Sequence, residues 1–119
     1  IGGIYFVADS EITLPPEKGR EVHDAGRRFL VLSGRETNNR QSWPLVIGCP
    51  ISGSTSFRTE FDVLLGAGEF GTIKKCWVRV PALQPILKTD LGALSGTLDT
   101  ERLNLVQARV FEYLGLAGA

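Results

Sequence analysis

Two adjacent arginines, Arg27 and Arg28, open the apolar run in GRRFLVLS. Arginine carries a planar fork of N–H donors that fits a phosphate two bonds at a time, and it stays charged at any physiological pH. On a strand, neighbouring side chains point to opposite faces, so one of the pair would face a cleft and the other solvent. The bland alternative is a charged strand edge that discourages sheets from pairing. Ser52 ends a second apolar run, WPLVIGCPIS, and opens the flexible SGSTS. Its hydroxyl could donate to a phosphate oxygen, or it could be a plain turn serine. His23, the one histidine, lies in the polar stretch before the arginines. Its ordinary pKa of about 6.5 suits proton transfer near neutrality, unless it is simply a surface residue.

Other chemistries lack their residues. One histidine and two cysteines, Cys49 and Cys76, cannot supply the four soft ligands of a structural zinc site. GAGEFG is glycine-rich but leads toward a strand rather than a helix, so it reads as a hairpin turn and not a phosphate loop. Ser33-Gly34 and Ser52-Gly53 form no GxSxG nucleophile elbow. Trp43 and Trp77 read as core or interface packing, with base stacking the lesser alternative.

The 119 residues fit one domain, 1–119, with one core. Thirteen basic and thirteen acidic residues cancel, which argues against a general nucleic-acid coat or a membrane-surface protein. The charge is unevenly placed. Residues 18–40 hold Lys18, Arg20, Arg27, Arg28, Arg35 and Arg40 against Glu21, Asp24 and Glu36, while the last thirty residues lean acidic. Both cysteines sit in apolar stretches and are expected buried and reduced. A disulfide between them would suit a secreted protein. IGGIYFVADS lacks the basic start of a signal peptide, and PLVIGCPI falls well short of a membrane span of about 20 residues. The expectation is a soluble cytoplasmic protein.

The elements that must position these residues are mostly strands. GGIYFVA reads as a strand stopped by Asp9-Ser10. A long polar loop follows to Gly26, then the strand RRFLVLSG and the turn-like RETNNRQ. WPLVIGCPI reads as a central strand buried on both faces, EFDVLLG as an alternating strand, and KKCWVRV as a strand with Cys76, Val78 and Val80 on one face. A helix closes the chain. Asp99 or Thr100 caps it; Leu103, Val106, Val110 and Leu114 recur at helical spacing, Phe111 widens the stripe, and Gly115 ends it. Strands joined without intervening helices imply an antiparallel sheet. The predicted fold is mainly β with a C-terminal helix, closed as a small, strongly bent SH3-like barrel.

In sequence order, GGIYFVAD, GRRFLVLS, ETNNR, VIGCPIS and TERLNLVQARVFEYLGL resemble the MazF/PemK family of toxin endoribonucleases, over nearly the whole chain. The resemblance implies metal-free cleavage of single-stranded RNA by attack of its 2′-hydroxyl on the adjacent phosphorus, with no cofactor. It implies a homodimer neutralised by a small cognate antitoxin, and no membrane partner. Arg28 falls on the family's catalytic arginine and Ser52 on its strand-end threonine or serine. Arg79 is similar to an arginine that some PemK-like members place beside a catalytic aspartate; this chain has Pro81 where that aspartate would follow. His23 stands where many members carry glutamate, and Phe29 where proline is usual. Arg27, Arg35, Arg58, Lys74 and Lys75 are the expected grips on the RNA backbone. Competing readings are a non-catalytic barrel that docks a peptide, an inactive relative, and the gyrase-poisoning branch, whose C-terminal tryptophan is missing from EYLGLAGA.

Overall fold

The computed structural model describes residues 1–15, 26–55 and 57–116. Among the described residues, seven strands and two α-helices follow in order: β1 (Gly3–Val7), β2 (Arg27–Val31), α1 (Arg35–Asn39), β3 (Leu45–Ser52), β4 (Val63–Leu65), β5 (Cys76–Val78), β6 (Gln84–Leu87), β7 (Leu94–Thr97) and α2 (Thr100–Tyr113). The strands pair antiparallel in the order β4-β5-β3-β2-β1-β7, with β6 added on β3.

The eight-residue β3 organises the rest. Its first half pairs with β6 from Leu45↔Leu87 to Gly48↔Gln84. Its end pairs with β5 at Ile51↔Val78 and Ser52↔Trp77. Its other edge pairs with β2, from Phe29↔Pro50 to Val31↔Gly48. Changing partners along one strand curls the sheet into a half-barrel. Gly48 sits in this crossing: a Cβ there would lie 1.9 Å from the Leu30 carbonyl oxygen, so only glycine fits.

Both sides of the curled sheet are covered. Ile4, Leu30, Cys49, Ile51 and Val78 pack with Val106 of α2, and Val7, Phe29, Val31, Val46 and Ile86 pack with Ile12. Burial on both faces is why β2 and β3 read as continuous apolar runs instead of alternating ones. Asp99 caps α2, accepting the Arg102 amide at 2.7 Å, and Gly115 follows the helix at φ 74°. Cys49 and Cys76 are buried and free. No helix among the described residues is long and apolar enough to cross a membrane.

Several local expectations need correcting. RETNNRQ is not a turn: residues 35–39 make the short helix α1, held by Asn38, whose amide donates to the Ser33 carbonyl at 2.7 Å. EFDVLLG is a strand only over Val63–Leu65, because Asp62 folds back to accept the Thr59 amide at 3.0 Å. KKCWVRV narrows to Cys76–Val78, since Pro81 sits in a 3-10 turn over Val80–Ala82. β6 and β7 formed in a stretch whose prolines and glycines hid them. The apolar stripe of α2 covers the core at Leu103, Val106 and Val110, as expected, but stops there: Phe111 and Leu114 are exposed. Trp43 is also exposed and does not belong to the core. The charged-edge reading of the arginine pair fails because β2 lies inside the sheet, between β1 and β3.

Candidate active site

Three strand termini meet at one rim of the half-barrel: β2 begins at Arg27, β3 ends at Ser52 and β5 begins at Cys76. Gly26 makes the entry possible. It adopts φ 86°, and a Cβ there would lie 2.6 Å from the Val7 carbonyl oxygen. A small cavity of about 80 Å³ lies at this rim, lined among others by Arg27, Arg28, Ser52, Thr72, Lys74 and Cys76.

The two arginines reach it differently. Arg27 is buried, and its Nε lies 2.6 Å from Asp9 Oδ1 in the 3-10 turn after β1. Arg28 is half-buried. Its guanidinium lies over the Phe6 ring at 4.9 Å, and its Nε donates to Ser95 Oγ of β7 at 3.0 Å. Phe6 is also its register partner on β1. Continuing the β2–β3 register past Phe29↔Pro50 sets Ser52 across from Arg27. By alternation Arg28 therefore approaches from the α2 side, and Arg27 and Ser52 from the other. Ser52 is buried, and its Oγ accepts the Ser54 amide at 3.1 Å, which leaves its O–H able to donate.

The electrostatics are positive. Burial pushes the Cys76 thiol up, and the charges of Arg28 and Lys74 oppose that shift without cancelling it. Cys76 therefore sits in the wall as a protonated thiol and a poor nucleophile. Among the described residues no group of three His, Cys, Asp or Glu side chains is placed to hold a metal ion. The arrangement suits the binding of an anion, with guanidinium N–H donors, an ammonium and a hydroxyl lining one small cavity.

The other expected residues scatter. Arg58 and Lys75 both lie over the buried Trp77 ring, each at 5.3 Å, and Trp77 is the register partner of Ser52, so these two flank the site. Arg35 is exposed on α1 and does not line the cavity. Arg79 is buried, with its Nε 3.1 Å from Asp62 Oδ2 and its Nη1 donating to the Ser54 carbonyl at 3.4 Å. His23 lies outside the described residues. Sequence reasoning missed Phe6, Ser95 and Asp62. Only Asp62 left a signal, as an acid inside an apolar stretch that must find a cation when buried.

A family model described as the PemK-like, MazF-like toxin of type II toxin-antitoxin systems matches residues 4–114. No curated protein sequence matches. Among solved structures, the Mycobacterium tuberculosis toxin MazF-mt6 superposes with a TM-score of 0.71 at 18% identity, covering 96% of this chain and 97% of that one. A mycobacterial endoribonuclease in complex with its cognate antitoxin gives 0.68 at 16% identity, covering 99% and 94%. A MazE-MazF structure from Deinococcus radiodurans gives 0.69 at 17% identity, covering 98% and 94%. The curled antiparallel sheet with its C-terminal helix is the fold of these neighbours.

Proposed function

The chain belongs to the PemK-like, MazF-like toxin family of type II toxin–antitoxin systems, and from that premise we propose that it is an endoribonuclease cutting single-stranded RNA at the Arg28–Ser52 rim. The observation that carries the proposal is the seating of Arg28. Its guanidinium is fixed by Phe6 beneath and Ser95 beside it, and it borders a cavity shared with Ser52 and Lys74.

The reaction uses the RNA's own nucleophile. The 2′-oxygen bonds to phosphorus, the bond from phosphorus to the 5′-oxygen breaks, and a 2′,3′-cyclic phosphate and a free 5′-hydroxyl result. The proton of the 2′-hydroxyl goes to a base, and an acid returns one to the leaving oxygen. Arg28 stabilises the charge that builds on the non-bridging oxygens, and Ser52 donates a hydrogen bond to one of them. Arg27, opposite Ser52, adds positive charge while Asp9 holds it in place. His23 is the proposal's candidate for moving the proton, on its residue type and place in the sequence. Lys74, with Arg58 and Lys75 on Trp77, grips the flanking backbone; Arg35, away on α1, is left out of this surface.

Control by an antitoxin and pairing into a homodimer belong to the same proposal. One of the similar structures is a complex with its cognate antitoxin. The test is incubation of the purified protein with a long single-stranded RNA in EDTA, beside Arg28→Ala. Discrete fragments from the wild type alone support the reading. Intact RNA across several substrates leaves a binding module or an inactive relative.

A further inference from the structure

The segment that follows Ser52 borders a second, larger cavity of about 370 Å³. Its walls include Leu14, Pro15, Phe57 and Pro81, and it also meets Asp62 and Arg79. These two form a buried ion pair, with side chains 1% and 8% exposed. Asp62 uses one oxygen twice: Oδ2 accepts the Thr59 amide at 3.0 Å and faces Arg79 Nε at 3.1 Å. Its other oxygen, Oδ1, is buried and has no hydrogen-bond partner among the described residues. A buried carboxylate oxygen without a donor is costly, and such an exception calls for an occupant. Phe57 lines the same cavity, 61% exposed and held at φ 58°, a conformation that a bulky side chain adopts only when its surroundings impose it.

We infer that this cavity receives one splayed base of the RNA, an amino-bearing base (adenine, cytosine or guanine) whose N–H meets Asp62 Oδ1 while its ring stacks on Phe57. The inference rests on the RNA-cleaving reading above. The cavity is large enough for a nucleobase and mostly apolar, as stacking requires. A cation is the poorer occupant. Arg79 already neutralises Asp62, and a second positive charge would sit against that guanidinium. Uracil is poorer too, because its ring N–H is flanked by two carbonyl oxygens that would face the carboxylate. The cavity is also coupled to the scissile site. Ser54 links them, giving its amide to Ser52 Oγ and its carbonyl to Arg79. A phosphate at the Ser52 rim would thus set a neighbouring base at Phe57.

The test uses short 2′-O-methyl oligonucleotides, which lack the attacking hydroxyl and cannot be cut. Each position is varied in turn among the four bases and an abasic sugar, and binding is read by fluorescence anisotropy. At one position the amino-bearing bases should bind roughly tenfold more tightly than uracil, the scale of one good base contact. Asp62→Asn, which adds an N–H donor beside the oxygen, should erase that ranking. Phe57→Ala should bring all four bases at that position close to the abasic level. A wild type indifferent to base at every position overturns the inference and leaves Oδ1 to a buried water; so does a ranking that survives Asp62→Asn. If Asp62→Asn fails to fold, the exposed Phe57→Ala decides alone, and an unchanged gap between base and abasic sugar overturns the inference. Cleavage of unmodified RNA without base-ranked binding sinks the pocket only. Base-ranked binding without cleavage sinks the reaction only.

Discussion

Arg28 Nε donates to Ser95 Oγ at 3.0 Å, which ties a cation of β2 to β7, the strand beyond β1. With the Phe6 ring beneath it at 4.9 Å, the guanidinium is held in both plane and direction. Ser95 is itself held, donating to the Gly71 carbonyl at 3.1 Å. A donor fixed before substrate arrives needs no reorganisation when charge develops, and that is where rigid donors gain their catalytic value.

Arg28→Ala should therefore slow RNA cleavage by about 10²–10³, the scale of one lost oxyanion donor. Arg28→Lys should recover little, since an ammonium neither lies flat on Phe6 nor bonds through two nitrogens at once. Ser95→Ala should give a smaller loss, with Arg28 still present but less well aimed. Initial rates on an end-labelled RNA measure all three, with circular dichroism to check folding. Wild-type rates for Arg28→Lys would mean that charge alone suffices and the seating is irrelevant.

Arg27 and Asp9 make a different prediction. Arg27 is 7% exposed and Asp9 20%, so removing the acid leaves a cation in a poorly hydrated place. Asp9→Ala should cost on the order of 2 kcal/mol, less than the 3–5 kcal/mol of a fully buried pair because water still reaches Asp9. The midpoint of urea unfolding reports it. An unshifted midpoint would show that Arg27 is held by other contacts.

The strand framework and α2 were legible because their signals are local. Apolar runs marked β1, β2 and β3, and Asp99, Val106 and Gly115 marked the helix. The arginine pair and Ser52 were legible by residue type. Phe6, Ser95 and Asp62 were not, because each acquires its role only through a partner on another strand or loop. Ser95 lies 67 positions from Arg28, and nothing in SGTLD announces a hydrogen bond to it. Asp62 left only the signal of an acid in an apolar stretch: read as part of a strand, it had no cause to turn toward Arg79. The helix stripe was over-read at Phe111 and Leu114, since periodicity marks a face but not how far along it the sheet extends.

Two glycines separate a packing requirement from a plain loop preference. A Cβ on Gly48 would meet the Leu30 carbonyl oxygen at 1.9 Å, whereas one on Gly34 meets nothing within 4 Å. Gly34 also adopts φ −72°, which any residue tolerates. Gly48→Ala should destabilise by more than about 3 kcal/mol or abolish soluble expression, because β2 and β3 cannot part without breaking their ladder. Gly34→Ala should fall within about 0.5 kcal/mol of the wild type. Thermal unfolding of both variants decides, and a Gly48→Ala protein with unchanged Tm would refute the tight crossing.

Cys49 sets a pH limit on stability. Burial, with a smaller contribution from the Asp62 charge, pushes its thiol up to about 12, while an unfolded chain releases that proton near pH 8.5. Between these values the native state keeps a proton that the unfolded state has lost. Stability is then fully present below about pH 8.5 and falls as pH rises through the window, by up to about 1.4 kcal/mol per pH unit for this one group. Cys76, also raised by burial, adds to the fall in the same direction. The informative quantity is the difference between wild type and Cys49→Ala, which isolates this one thiol. Urea unfolding from pH 8 to 11 should show the variant losing stability less steeply, by about one proton's worth of slope. Parallel slopes would mean that the thiol ionises in the native state without opening the β3 core, and that Cys49 is less sealed than its packing against Leu30 and Val80 implies.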